Sequence, residues 1–328
     1  MLSQLLRVVR LRGAVFYSVQ CAAPWVAAAP DASSLAGHLM PGADHVIEYH
    51  VVVEGRCWAG LVDGERHLLE AGDIIMLPHG HAHVLSNDPK ARPPTDAGDL
   101  AARSGRRLPV QLDYGSSARK SAEIVCGFLA CDAVPFNPLL AALPPVIVRR
   151  RTDEALDAML ASLVASATHE AAAHRPGGDA VLSRLSELMF IEVVRGYLAT
   201  GVDERSVGWL AGLRDPVVGP ALTAMHAQPR REWTLETMAR RVGASRTVLA
   251  ERFRRVIGMP PIQYLAQWRM QLAATMLADT SQPLASIALD VGYGSEAAFN
   301  RAFRKVVGVP PAAWRSSRAR AEPPTVHP

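Results

Sequence analysis

The 328-residue sequence predicts an α+β chain of several domains: a β-barrel first, a helical linker next, and an all-α carboxyl part last. Three observations predict this. Up to about residue 148, apolar runs rich in Val and Ile alternate with Gly, Pro and Asp-Gly turn signals. From Asp153 the apolar period becomes helical. A motif in the last hundred residues occurs twice, 50 residues apart. Hydrophobic residues make up 49% of the chain, enough for a core in each domain. Four scattered cysteines do not make a disulfide scaffold, and no apolar run reaches the roughly 18 residues that span a bilayer.

At the amino end, Leu2, Leu5, Leu6 and Val9 share one helical face, while Arg7, Arg10 and Arg12 interrupt the apolar stretch a signal peptide needs. A short amphipathic helix, a strand over Ala14–Val19 and a cytoplasmic location are expected. Val46–Val53, Ile74–Leu77 and Glu123–Ala130 read as strands, Asp63-Gly64 as a hairpin turn, and the Pro- and Arg-rich Asp88–Arg107 as a surface loop. Leu156, Met159, Leu160, Leu163 and Val164 form one helix face. Leu182, Leu185, Leu188, Met189 and Val193 form another, beyond the breaker Pro176-Gly177-Gly178. Those faces have two available partners, the β-domain or the same helices of a second chain. The expected divisions are a sensing barrel over 1–148, a helical linker or dimerisation segment over 149–214, a helical domain over 215–316, and a disordered tail over 317–328.

Charge divides with the domains. Pro216–Pro328 holds 15 Arg and Lys against 7 Asp and Glu, and the preceding residues hold 20 against 24. A basic back half suits a polyanionic partner. The repeat lies in that half. Phe253 and Phe303, Gly258 and Gly308, Pro261 and Pro311, and Tyr264 and Trp314 are each 50 apart. Upstream of each Phe, a small residue precedes a glycine by four, and a serine then opens a new amphipathic segment: Ala239, Gly243 and Ser245, then Ala288, Gly292 and Ser295. A helix-turn-helix needs this pattern. The alanine allows two helices to cross closely, the glycine ends the first in a left-handed conformation, and the serine caps the second.

These residues, with the long helix Ile262–Ala278 and the run from Gly292 to Pro311, make residues 219–316 resemble the DNA-binding domain of the AraC/XylS regulators. The resemblance implies two recognition helices in successive major-groove segments. It implies base-reading positions at Thr247, Ala250 and Glu251 in the first, and at Glu296, Ala297, Asn300 and Arg301 in the second. Arg301 suits guanine and Asn300 adenine, whereas Glu251 accepts from cytosine but repels phosphate. Arg246, Arg254, Arg304 and Lys305 fit phosphate contacts.

In the front half, Gly72-x5-Pro78-x-Gly80-x2-His83-x3-Asn87 resembles the second motif of cupin barrels, so the barrel is expected to be cupin-like. Enzymatic cupins hold metal with a His-x-His pair and a carboxylate from the first motif plus the second-motif histidine. Here residue 48 is Glu, and His45 and His50 differ by an odd number, so they face opposite sides of a regular strand. His50, His83 and Cys126 are the candidate effector pocket. They would make a soft three-ligand set of the kind zinc takes, or remain ordinary pocket side chains. The resulting expectation is a non-enzymatic regulator of promoter DNA responding to a small-molecule effector, with a homodimer and RNA polymerase among possible partners and no membrane. The alternatives are a redox switch through Cys126 and Cys131, a metal-dependent cupin enzyme carrying a DNA-binding module, and a constitutive architectural binder.

Overall fold

A computed structural model describes residues 11–40, 42–93, 110–115, 119–131, 133–151, 155–173, 175–199 and 208–321. The expected amino-terminal helix and most of the 88–107 loop lie outside them. Among the described residues the chain forms two units, one holding residues 11–131 and 144–199, the other 133–143 and 208–321.

The first unit is a curled sheet of nine strands: β1 (Leu11–Ala22), β2 (Val26–Ala29), β3 (His45–Leu61), β4 (His67–Glu70), β5 (Ile74–Leu77), β6 (His83–Ser86), β7 (Val110–Tyr114), β8 (Lys120–Cys131) and β9 (Ile147–Arg149). The path runs β2-β6-β3-β8-β1-β7, with β4 and β5 also on β3, and β9 on β5. All pairings are antiparallel except β1 with β7. Strand β3 causes the curl. Its first half pairs with β5 and β8, its second with β4 and β6. The register shifts between Val52 and Glu54, and Gly55 follows at φ 76°. A side chain at Gly55 would meet the Ser121 carbonyl oxygen at 2.1 Å, so only glycine fits that bend. Tyr17, Val52, Cys57, Leu69, Ile75, Ile124 and Phe128 fill the interior.

Asp31 caps helix α1 (Ala32–Leu39) by accepting from the Ser33 N–H. Helices α3 (Ala155–Ala173) and α4 (Gly178–Ala199), which follow α2 (Pro138–Ala142) of the second unit in sequence, form a hairpin. Helix α4 packs on β1, β8 and β9, where Ser186 Oγ lies 2.7 Å from the Tyr49 hydroxyl. The sheet is therefore the partner of α4. Met159 and Leu188, read from sequence as parts of apolar faces, are instead exposed.

The second unit gathers α2 (Pro138–Ala142), α5 (Trp209–Arg214), α6 (Val218–Ala227), α7 (Leu235–Arg241), α8 (Arg246–Ile257), α9 (Pro261–Asp279), α10 (Leu284–Asp290), α11 (Glu296–Val307) and α12 (Pro311–Ala321). Two features depart from the expected divisions. Residues 133–143 cluster with the helices although β8 and β9 flank them: α2 packs on α5, and the Phe136 N–H donates to Gln271 Oε1 at 2.9 Å. Residues 317–321, expected in a disordered tail, continue α12, whose Trp314 packs against Phe303.

His226 sits in an aromatic stack, 4.0 Å from the Trp268 ring and hydrogen-bonded through Nε2 to the Tyr264 hydroxyl at 2.8 Å. Burial lowers its pKa from 6.5 to about 3. The unfolded imidazole thus takes a proton first as pH falls. The stabilisation is complete above about pH 6.5 and is lost progressively toward pH 3. Urea denaturation followed by tryptophan fluorescence should show wild-type stability falling with acidification more steeply than that of His226→Gln, by up to about 1.4 kcal/mol per pH unit.

Candidate nucleic-acid interface and barrel pocket

The two sequence repeats build the same local structure twice. Ala239 and Ala288 are buried where the helices of each pair cross. The Ala244 N–H donates to the Ala239 carbonyl, and the Tyr293 N–H to that of Ala288. Gly243 and Gly292 occupy those turns at φ 67° and 86°. Ser245 Oγ accepts from the Val248 N–H, and Ser295 Oγ from the Ala298 N–H, each at 3.2 Å. All six residues read as helix-turn-helix scaffold occupy those structural positions.

Leu249 and Phe253 are buried on α8, as are Phe299 and Phe303 on α11. Val256, one turn after Phe253, is only half-buried. The opposite faces are open. Arg246, Thr247, Glu251 and Arg254 are exposed on α8, and Glu296, Ala297, Arg301, Arg304 and Lys305 on α11; Ala250 and Asn300 are half-buried. Glu236, Arg246, Thr247 and Glu251 border an open depression between α7 and α8.

The structure adds residues that sequence reading missed. Arg269 on α9 donates to the Pro229 carbonyl at 2.8 Å and to that of Arg231 at 2.9 Å, and its guanidinium lies over the Tyr293 ring. Arg230 pairs with Asp290 at 3.2 Å. These contacts tie the loop before α7 to the turn after α10. Arg252 on α8 pairs with Asp215 at 2.6 Å, and Asp215 Oδ1 also accepts the Val217 and Val218 N–H groups that open α6. Thr234 and Thr237 form a reciprocal cap on α7. The sequence signal was weak because Thr237 stands where Glu or Gln usually marks that motif.

In the sheet unit, a small, mainly apolar cavity of about 40 Å³ is lined by Tyr17, Trp25, His50, Leu112, Cys126 and Phe128, among others. Cross-strand register places Cys126 opposite His50 on β3 and Tyr17 on β1. The expected grouping of His50 and His83 is present, with their Nε2 atoms 2.5 Å apart. Its third member is different. Glu48, two residues before His50 and so on the same strand face, lies 3.6 Å from His83 Nε2. Glu48, His50 and His83 each offer a ligand atom within 4.8 Å of the others. Cys126 does not join this group; it lines the cavity. All three side chains are buried, and neither Glu48 oxygen has a hydrogen-bond partner among the described residues. Burial raises the Glu48 pKa well above its usual range, lowers that of His50 well below its own, and takes His83 to about 4. His83 Nδ1 bonds the His81 carbonyl at 2.9 Å, leaving Nε2 as its inward atom. His45 faces elsewhere, on the Pro78 carbonyl at 2.7 Å, as the odd spacing required.

The geometry disfavours a redox switch in which Cys126 pairs with Cys131. Cys126 and Cys131 are five residues apart on one strand, a rise of roughly 16 Å, whereas a disulfide brings Cα atoms to within about 7 Å. Burial, with Cys21, Glu48 and Cys57 nearby, also raises the Cys126 thiol pKa, the opposite of what a reactive thiolate requires.

Residues 1–199 match the cupin family profile, and residues 238–317 that of the helix-turn-helix domain. A putative AraC-like transcription regulator of Streptomyces lividans is 35% identical over 277 residues, covering 83% of this chain and 88% of its own length. The HTH-type transcriptional regulator AlkR of Acinetobacter baylyi is 30% identical over 257 residues, 78% of this chain and 83% of that protein. The solved DNA-binding domain of AdpA, in complex with a target DNA, is 30% identical and covers 32% of this chain and 96% of its own, at a TM-score of 0.31. A curled cupin-like sheet followed by paired helix-turn-helix units defines a two-domain DNA-binding transcription regulator. The chain belongs to the AraC-type regulators.

The two turn glycines differ in their surroundings. A Cβ at Gly243 meets nothing within 4 Å, whereas one at Gly292 lies 2.8 Å from the Arg269 guanidinium and 3.0 Å from Arg230 Cα and its carbonyl oxygen. Gly243→Ala should cost about 1–2 kcal/mol from left-handed strain alone. Gly292→Ala should cost more, because the Arg269 bridge must shift; urea denaturation of both variants measures the difference.

Proposed function

We propose that α8 and α11 enter two successive major-groove segments of promoter DNA and that the sheet unit senses a small molecule. The observation carrying the DNA reading is the matched placement of two recognition helices. Each buries an aromatic stripe, Phe253 in one and Phe299 with Phe303 in the other, and turns its polar face outward. On this reading Thr247, Ala250 and Glu251, then Glu296, Ala297, Asn300 and Arg301, meet base edges, while Arg246, Arg254, Arg304 and Lys305 meet phosphates. Arg301 is exposed in the second turn of its helix, and its two-pronged guanidinium matches the paired acceptors of guanine. Glu251 stands on the same face and disfavours phosphate, so its contribution is exclusion of wrong sequences.

The apolar cavity supports an effector that is small and largely apolar, with His50 as a polar contact. Strand β8 carries Cys126 and Phe128 on the cavity and leads directly into residues 133–143, which pack with the helical unit. That continuity supports a covalent route by which an altered cavity biases DNA affinity. Exposed Met159, Val181 and Leu188 on the α3–α4 hairpin support a homodimer. No described helix is long and apolar enough to cross a membrane. A promoter-binding role places the protein in the cytoplasm, and no enzymatic step is needed for it.

DNA affinity measured by fluorescence anisotropy on a selected operator and its single-base variants tests the reader assignment. Arg301→Ala should lose about 1–3 kcal/mol on the operator and relax preference at one base pair. Equal loss on operator and random duplex would overturn the base-reading role. Arg304→Ala should weaken both duplexes alike and reduce the slope of log K against log salt by about 1.

A further inference from the structure

We propose that Glu48, His50 and His83 form a binding site for one divalent transition-metal ion inside the sheet unit, with zinc the ion used to test it. The site is not the one that the spacing of His50, His83 and Cys126 suggested. Where the His-x-His pattern of enzymatic cupins has its first histidine, this chain has Glu48, and the strand register turns that carboxylate to the same side as His50.

Four observations support the assignment. First, three donor atoms of the right kind converge within 4.8 Å in a buried place. Second, both Glu48 oxygens lack a hydrogen-bond partner among the described residues although the residue is fully buried. A buried carboxyl left unsatisfied costs free energy, and a trio built only for hydrogen bonding would have used those oxygens. Third, His83 is oriented from behind by its Nδ1 bond to the His81 carbonyl, the arrangement that fixes a ligating imidazole with its other nitrogen forward. Fourth, the two inward Nε2 atoms meet at 2.5 Å in hydrogen-bond contact, so both imidazoles present the same nitrogen to one place beside Glu48, and an ion there would replace the single proton they share. A divalent ion there satisfies both imidazoles and the carboxylate at once.

The donor set selects the class of metal. Two imidazoles and one carboxylate suit zinc, iron(II) and neighbouring ions; magnesium and calcium prefer oxygen-only shells. Three protein ligands leave a coordination position open. His50 also lines the apolar cavity, so the ion borders the space assigned to the effector. The assignment depends on the sheet unit alone and is independent of how the helices meet DNA.

The test uses the full chain, stripped with a chelator and titrated with Zn²⁺ by calorimetry, with metal content by mass spectrometry and a Co²⁺ spectrum. One ion per chain and a raised melting temperature are expected. The Co²⁺ form should show ligand-field bands without a thiolate charge-transfer band. Glu48→Gln should weaken Zn²⁺ by about tenfold or more, while Cys126→Ser should leave affinity and spectrum unchanged. Less than one ion per chain at saturation, an unaffected Glu48→Gln variant, or a thiolate band that Cys126→Ser removes would each overturn the assignment. Should Glu48→Gln not fold, wild-type stoichiometry and the Co²⁺ spectrum decide the question.

Discussion

The spacing of the two recognition helices depends on the burial of one helix, α9. Its first half gives Tyr264, Leu265 and Trp268 to the first helix-turn-helix, where Tyr264 meets the Phe253 ring edge-on at 5.7 Å and Trp268 stacks on His226. Its second half gives Met270, Ala273, Ala274 and Leu277 to the second, against Ile287, Phe299 and Phe303. Nineteen helical residues span roughly 28 Å, close to the groove repeat of about 34 Å. On the proposed two-groove reading, a flexible linker of equal length would lose entropy each time both helices engaged; a buried helix has met that cost during folding. Arg269 extends the constraint. From the middle of α9 it reaches two carbonyls of the loop before α7 and the ring of Tyr293 after α10. The two helix-turn-helix pairs are thereby joined along α9 and again by this arginine.

The sheet unit meets a different constraint. Its interior is apolar except where β3 and β6 bring Glu48, His50 and His83 together. Two other polar side chains of the unit, Asp73 and Asn87, are paired. Asp73 holds Arg150, the Arg151 N–H and the Glu70 N–H, fixing the turn before β5 to the end of β9. Asn87, the last residue of the second cupin motif, accepts from the Trp25 N–H at 2.6 Å and so secures the lead into β2. Glu48 is a buried carboxyl with neither oxygen satisfied among the described residues, and the bend at Gly55 bears on how it came to be there. By letting one strand serve both faces of the curl, it pairs the first half of β3 with β5 and β8 and the second half with β4 and β6, and His83 at the start of β6 comes to lie beside Glu48 and His50.

Local chemistry was legible in the sequence, and long-range register was not. Ser245, Ser295, Gly243 and Gly292 act within four residues of their own positions, so spacing alone assigned them. The parity of strand positions correctly separated His45 from His50. The choice between Glu48 and Cys126 as the third member needed the position of β6 relative to β3, which no periodicity encodes. Met159 and Leu188 failed for a related reason. Apolar spacing marks a broad arc of a helix, and the surface packed against it covers less than that arc. The allegiance of residues 133–143 depends on a bond to Gln271, 135 residues away from Phe136, for which the sequence has no local signal.

Excess positive charge in the helical unit correctly suggested a polyanionic partner, yet much of it is committed to the fold. Arg252 lies between the outward positions Glu251 and Arg254, but its guanidinium holds Asp215 and through it the start of α6. Arg269 serves carbonyls, Arg230 serves Asp290, Arg240 serves Glu236, and Arg315 bonds the Gln282 carbonyl. Those guanidinium groups are oriented by contacts within the protein, so only the donors left over are available to phosphate. Among the described residues, cations on the open faces with no such contact include Arg246 and Arg254 on one helix and Arg301, Arg304 and Lys305 on the other. Charge counting therefore identifies the kind of partner, and the separation of structural arginines from those on the open faces comes only from the atoms each one touches.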